Sequence, residues 1–149
     1  MATPCTCSTL RQLTRKVTNI YDRHLASHEV SVGQYSLLAK IGVAGSIGFT
    51  PLAILAGMDR STLSRTLKPL IQAGWVETLE QSVDSPCDKR SFIVRLTKQG
   101  AQKCSQCRPD WLKAQRRIDT LLGKGQHQQL FAVLDQANKN LEDEGADYE

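Results

Sequence analysis

Two cysteine pairs stand out among the residues able to do chemistry. Cys5-Thr6-Cys7 lies near the N-terminus and Cys104-Ser105-Gln106-Cys107 lies far along the chain. Thiolates are nucleophiles and soft ligands, so such pairs suit either oxidation by peroxide or electrophiles or capture of a soft ion. On a helix, positions 104, 107 and 111 share a face, which points Cys104, Cys107 and Trp111 the same way. Cysteine is also a small hydrophobe. That role suits Cys104 and extends to Cys107, but it suits Cys5 and Cys7 poorly, because PCTCS is a polar segment. The fifth cysteine, Cys87, stands beside Asp88 in a polar stretch, where modification would alter nearby contacts. An odd count in a reducing compartment argues against a structural disulfide framework.

A second constellation is cationic. Arranged on a helix, residues 60–73 place Leu63, Leu67, Leu70 and Ile71 on one side as a core stripe. Ser61, Arg65, Lys68 and Gln72 fall together on the opposite side, flanked by Thr62 and Ser64. That face carries no acid. Two cations, several hydroxyls and an amide are the inventory needed for phosphates and major-groove base edges. A solvated helix face ordinarily mixes signs, and this one does not. Further on, Asp88-Lys89-Arg90 offers an arginine suited to a narrow minor groove, with a carboxylate two residues away to orient it.

The elements that must position these groups are legible from periodicity and punctuation. Ser8 to about Leu25 has helical spacing, and His28-Glu29 breaks it. Ser31 caps a second helix over about 32–41, and the three glycines of Gly42–Gly48 predict a loop. Thr50-Pro51 predicts the start of a short helix that Gly57 stops. Asp59 caps the next helix, which Gly74 ends, and Pro69 predicts a kink or early tightening within it. Two short helices across a turn of about three residues form a helix-turn-helix. The stretches 75–79 and 91–96 alternate as a hairpin around the polar loop 80–90, which places Asp88-Lys89-Arg90 at or near its tip. Thr97 caps a long helix to about Leu122, with a kink expected at Pro109. After the turn at 123–125, a last helix over about 126–141 presents Leu130, Leu134, Ala137 and Leu141 on one face.

The bulk properties agree. A chain of 149 residues is one domain, or one domain with helical extensions. The net charge is +4, yet the last nine residues hold five acids and no base, so without them it would be +9. A basic body with an acidic tail suits a polyanion. No apolar run is long enough to span a bilayer, and the N-terminus shows no secretory h-region, so the expected compartment is the cytoplasm. No Ser/His/Asp or paired-carboxylate constellation stands out, and the expectation is that the protein is not an enzyme. A thioredoxin-like site is disfavoured as well, because Cys104 lies several residues into its helix.

These residues together resemble the MarR family of bacterial transcriptional regulators. The resemblance is carried by Gln34-Tyr35-Ser36-Leu37-Leu38, by the run Leu52 to Arg65, by Leu70-Ile71-Gln72-Ala73-Gly74-Trp75-Val76, by Asp88-Lys89-Arg90, and by Val94 to Gly100. It implies a mainly α fold with a small β-hairpin wing: a winged helix-turn-helix (32–97) with N- and C-terminal dimerisation helices (1–31 and 98–149). It implies a homodimer on a palindromic double-stranded DNA operator, usually a repressor released by a small molecule or by oxidation. The DNA-contacting positions carried over are Ser61, Thr62, Ser64, Arg65 and Lys68, with Asp88, Lys89 and Arg90 in the wing. Pro69, Cys87 and Ser31 depart from the family pattern.

In such a dimer the first helix packs near the C-terminal helices, some of them from the partner subunit, so Cys5 and Cys7 are expected to converge with Cys104 and Cys107, within one chain or across the interface. Four thiolates would then bind Zn2+, Cu(I) or an arsenite-like metalloid, or would oxidise. No other cofactor is implied. Two alternatives remain. In the first, the cysteines are structural and a small aromatic acid is sensed near Tyr21, His24, His28 and Tyr35, residues that ordinary packing explains equally well. In the second, the chain is a winged-helix protein-interaction module that has lost DNA binding.

Overall fold

The computed structural model describes residues 3–80, 92–123 and 125–145. Among the described residues, six helices and three short strands run in the order α1 (Thr6–Leu25), α2 (Val32–Ala44), β1 (Ser46–Gly48), α3 (Phe49–Ala56), α4 (Arg60–Gln72), β2 (Val76–Glu80), β3 (Phe92–Leu96), α5 (Lys98–Leu122) and α6 (Gln126–Gly145). The fold is the expected one, mostly helical with a small antiparallel sheet. The wing loop lies outside the described residues, and with it Asp88, Lys89, Arg90 and Cys87.

Local chemistry sets most boundaries. Ser31 and Gln34 form a reciprocal capping box at the start of α2. Asp22 Oδ1 accepts from the Val32 amide at 2.7 Å and ties that start to α1. Between α1 and α2 the expected break is a single 3-10 turn, Ala26–His28, closed by Glu29 in the left-handed region at φ 55°. Gly57, at φ 63°, ends α3. Thr97 Oγ1 accepts from the Gly100 amide at 3.1 Å and begins α5.

Three expectations fail here. The loop predicted over 42–48 does not form. Helix α2 continues to Ala44, and residues 46–48 become a strand that pairs antiparallel with β3, Ile47 opposite Val94. The sheet therefore has three strands in the order β1-β3-β2. Gly42 serves packing rather than a turn, since a Cβ there would stand 3.1 Å from Leu96 Cδ1. Second, Thr50 does not cap α3, which begins two residues earlier than expected, with Gly48 at the cap position. The Thr50 hydroxyl instead accepts from Arg60 Nη1 at 2.8 Å, and that guanidinium lies over the Phe49 ring. Third, Ile71 is not in the core stripe. It is 39% exposed and lines an open groove of about 220 Å³ with Phe49 and Phe92.

Two apolar clusters hold the elements. The larger joins α2, α3, α4 and the sheet through Leu38, Ile41, Leu52, Leu63, Leu70 and Val94, all fully buried. Each such side chain contributes roughly 1.5–3 kcal/mol. The smaller cluster, Leu25, Val30, Tyr35 and Cys107, joins α1, α2 and α5. Helices α1 and α5 run side by side in opposite directions: Tyr21 meets Trp111 and Gln115, while Leu25 lies with Cys107. Both internal prolines are accommodated without a break, Pro69 in the last turn of α4 and Pro109 midway along α5.

Candidate nucleic-acid interface

Helix α4 is the second helix of the helix-turn-helix, and its two faces separate cleanly. Leu63, Leu67 and Leu70 are buried, whereas Ser61, Ser64, Arg65, Lys68 and Gln72 are exposed and Thr62 is half-buried. Solvent therefore meets the acid-free face predicted from the spacing of the polar positions. Pro69 lacks the amide that would bond the Arg65 carbonyl, one lost bond close to the helix end. The last turn is then closed by Ala73 N to Pro69 O and Trp75 N to Leu70 O, both at 3.0 Å.

Asp59 organises the start of this helix. Its Oδ1 accepts from the Thr62 amide at 2.8 Å and from Ser61 Oγ at 2.6 Å. Its Oδ2 accepts from Thr62 Oγ1 at 2.7 Å. Those bonds, Ser61's foremost, hold the Asp59 carboxyl well below the usual carboxylate range. Thr62 Oγ1 in turn receives Arg65 Nη2 at 3.4 Å. Asp59 was legible as a cap, but its grip on both hydroxyls was not. The only signal for it is Asp followed at two and three residues by Ser and Thr.

The base of the wing is braced by Arg95 Nε donating to Glu77 Oε1 at 2.7 Å, between directly opposed positions of β2 and β3. Both side chains are exposed, so the pair contributes at most about 1 kcal/mol.

The two cysteine pairs are not brought together within one protomer. Cys5 and Cys7 are exposed at the start of α1. Cys107 is buried beside Leu25 at the other end of that helix. The 18 residues from Cys7 to Leu25 span roughly 27 Å of helix. Among the described residues no group of three or more His, Cys, Asp or Glu side chains is placed to hold a metal ion. The expected four-thiolate convergence is thus absent from a single chain. Cys104, Cys107 and Trp111 do share a face, and burial pushes both thiols up. The buried pair is poorly suited to form thiolate.

The aromatic and histidine residues considered for a ligand pocket are engaged in packing. The Tyr21 and Tyr35 rings lie 6.0 and 5.9 Å from that of Trp111, and the Tyr21 hydroxyl donates to Gln115. His24 Nδ1 bonds the Ile20 carbonyl, and His28 Nε2 pairs with Asp110 at 2.9 Å.

The MarR family model matches residues 30–92, which run from just before α2 into β3. That match is to the MarR family. Its members are transcriptional regulators and not enzymes. The multiple antibiotic resistance protein MarR of Salmonella typhimurium is 32% identical over 93 residues, 62% of this chain and 62% of that relative. The match thus spans about three fifths of the relative's length. The protein of the same name from Escherichia coli is 29% identical over 121 residues, 81% of this chain and 74% of that one. Among solved structures, the M. tuberculosis transcriptional regulator MosR in complex with DNA superposes with a TM-score of 0.77 at 27% identity, covering 93% of this chain and 98% of its own. A cysteine-to-serine mutant of E. coli MarR complexed with operator DNA gives 0.61 at 27% identity, covering 90% and 91%. The segment matched by the family model contains all of α4 and β2, ends at the first residue of β3, and contains neither cysteine pair.

Proposed function

We propose that this chain is a homodimeric, sequence-specific double-stranded-DNA-binding repressor of the MarR family whose α4 enters the major groove. The observation that carries the reading is the exposed, acid-free face Ser61-Ser64-Arg65-Lys68-Gln72 on the second helix of the pair. Two related regulators solved with DNA, MosR and the E. coli MarR mutant, support it. Ser61 and Arg65 contact bases, Thr62 positions Arg65, Ser64 contacts a base or an adjacent phosphate, Lys68 contacts backbone, and Asp88, Lys89 and Arg90 reach from the wing. A protein-interaction module would have no need of such single-sign chemistry. The compartment that goes with this reading is the cytoplasm.

The dimer reading rests on exposed apolar side chains on the terminal helices. Phe131, Val133 and Leu141 of α6 are 59%, 66% and 68% exposed, and Leu121 of α5 and Leu10 of α1 are also open. A second copy covers them, with the regions 1–31 and 98–149 as the dimerisation unit and 32–97 as the DNA-binding unit. A two-fold dimer implies a palindromic operator.

The signal is assigned to Cys5 and Cys7, the exposed pair, with Cys104 and Cys107 structural. Oxidation forms a Cys5–Cys7 disulfide or its counterpart across the dimer. Two protons and two electrons leave the thiols, and a peroxide-class oxidant takes them up to give water. A soft ion such as Zn2+, Cu(I) or arsenite is the competing stimulus. An aromatic ligand is less favoured because Tyr21 and Tyr35 already pack on Trp111.

The test is fluorescence anisotropy of the reduced protein with DNA upstream of its own gene. The titration is repeated after mild peroxide and after each soft ion, with Cys5→Ser/Cys7→Ser alongside. Tight binding lost with peroxide and retained in the double variant is the expected result. Binding indifferent to every treatment overturns the thiol assignment and leaves the DNA assignment standing. Absence of binding at any salt overturns both.

A further inference from the structure

Ser and Thr hydroxyls ordinarily both donate and accept, so a serine on a reading helix bonds phosphates, guanine or thymine oxygens, and amino groups alike. At the start of α4 that freedom is removed. A hydroxyl has one proton, and those of Ser61 and Thr62 are both directed at the Asp59 carboxylate, at 2.6 and 2.7 Å. Charge-assisted O–H···O− bonds of this length are the strong kind. An ionised carboxylate offers no proton in return. Toward any neighbour outside the helix, Ser61 has only lone pairs left. Thr62 already shares one of its own with Arg65.

We propose that Asp59 is a specificity-determining positioning residue: by engaging both hydroxyl protons it makes Ser61 an acceptor-only reader that selects an amino-bearing base, adenine or cytosine, on the strand it touches. Phosphate oxygens, guanine O6 and N7, thymine O4 and adenine N7 are all acceptors and find no proton at Ser61. The adenine N6 and cytosine N4 amino groups are the major-groove donors that match. The same arrangement explains how an acid is tolerated beside a DNA-facing surface. Both Asp59 oxygens are turned into the helix start and occupied. Arg65, braced by Thr62, remains the donor of the set and suits guanine. The half-site is therefore expected to combine an A-or-C position with a nearby G. This inference rests on the DNA-reading role proposed for α4.

Asp59→Gly separates the two functions of the residue. Glycine is only slightly poorer than aspartate at a cap position, so the fold is kept. It removes both carboxylate oxygens, however, and returns the Ser61 and Thr62 protons to the surface. Duplexes are selected from a randomised library by the full-length reduced wild-type protein, by Asp59→Gly and by Ser61→Ala, at one salt concentration, and sequenced. Wild type is expected to prefer A or C over G or T by about fivefold at one position of each half-site, the worth of one net hydrogen bond. Ser61→Ala should flatten that same position. Asp59→Gly should bring it near parity while leaving the guanine preference intact. An Asp59→Gly profile identical to wild type, or a Ser61-dependent position that prefers G or T, overturns the proposal. A wild-type selection with no enriched sequence overturns the base-reading role of α4 itself, a distinguishable outcome.

Discussion

The backbone carbonyl of Trp75 occupies the space where a side chain on Gly100 would have to be: a Cβ at residue 100 would stand 1.9 Å from that oxygen. Around this contact Thr97 Oγ1 donates to the Gly74 carbonyl at 2.6 Å, the Thr97 amide donates to Trp75 O at 3.1 Å, and the Lys103 ammonium sits over the Trp75 ring. The first turn of α5 is thereby riveted to the residues that immediately follow α4. Displacement of α5 cannot leave α4 where it was.

Gly100→Ala should accordingly destabilise the fold by about 3 kcal/mol or more, because the obstacle is backbone and cannot rotate away. Thermal melting followed by circular dichroism reads the loss. Gly33→Ala is the contrast: the site is helical and open, so alanine should be neutral or stabilising by about 0.5–1 kcal/mol. Similar melting temperatures for the two variants would refute the close-contact account.

Arg65→Ala should weaken binding to the selected operator by roughly 5- to 100-fold, the worth of a bidentate base contact. Random duplex should lose much less. Paired anisotropy titrations at fixed salt make the comparison, and an equal loss on both DNAs would show that Arg65 touches backbone alone.

Asp110 links α5 to the 3-10 turn through His28, and bonds from Lys113 first and His28 second hold its carboxyl below the ordinary value. A lowered folded-state pKa stabilises the native state above the unfolded value, and that contribution disappears as pH falls through the folded one. Wild type should therefore melt above Asp110→Asn at neutral pH. The gap should close below about pH 4, where the free carboxyl begins to take up its proton. A gap independent of pH from 7 to 2 would mean that the ionised carboxylate contributes nothing.

Thiol accessibility should divide the cysteines in a Cys87→Ser background. Cys5 and Cys7 are exposed and should react with a disulfide reagent at once. Cys104 should lag, and Cys107 should react only on unfolding, since it is fully buried with a raised pKa. Cys107→Ser should cost roughly 1–3 kcal/mol through a buried hydroxyl without a partner. Four thiols labelling at one rate would contradict this placement.

The sequence by itself determined the order of the helices, the caps at Ser31, Asp59 and Thr97, and the exposed acid-free face of α4. Asp59, Gly74 and the spacing of Leu63, Leu67 and Leu70 act within one or two turns, so their consequences can be worked out locally. The same holds for Ser31 with Gln34 and for Thr97. Tertiary structure alone decided what depends on partners distant in the chain. Residues 46–48 are a strand only because β3 offers an unpaired edge, and three glycines nearby looked like a loop without it. Thr50 gave up its capping role because Arg60, ten residues on, supplied a better use for its hydroxyl. Ile71 left the core stripe because Phe49 and Phe92 open a groove beside it. The cysteine pairs stand at opposite ends of α1, since the antiparallel course of α1 and α5 sets which turns face each other. That pairing of helices is a property of the packed chain, which no local periodicity encodes.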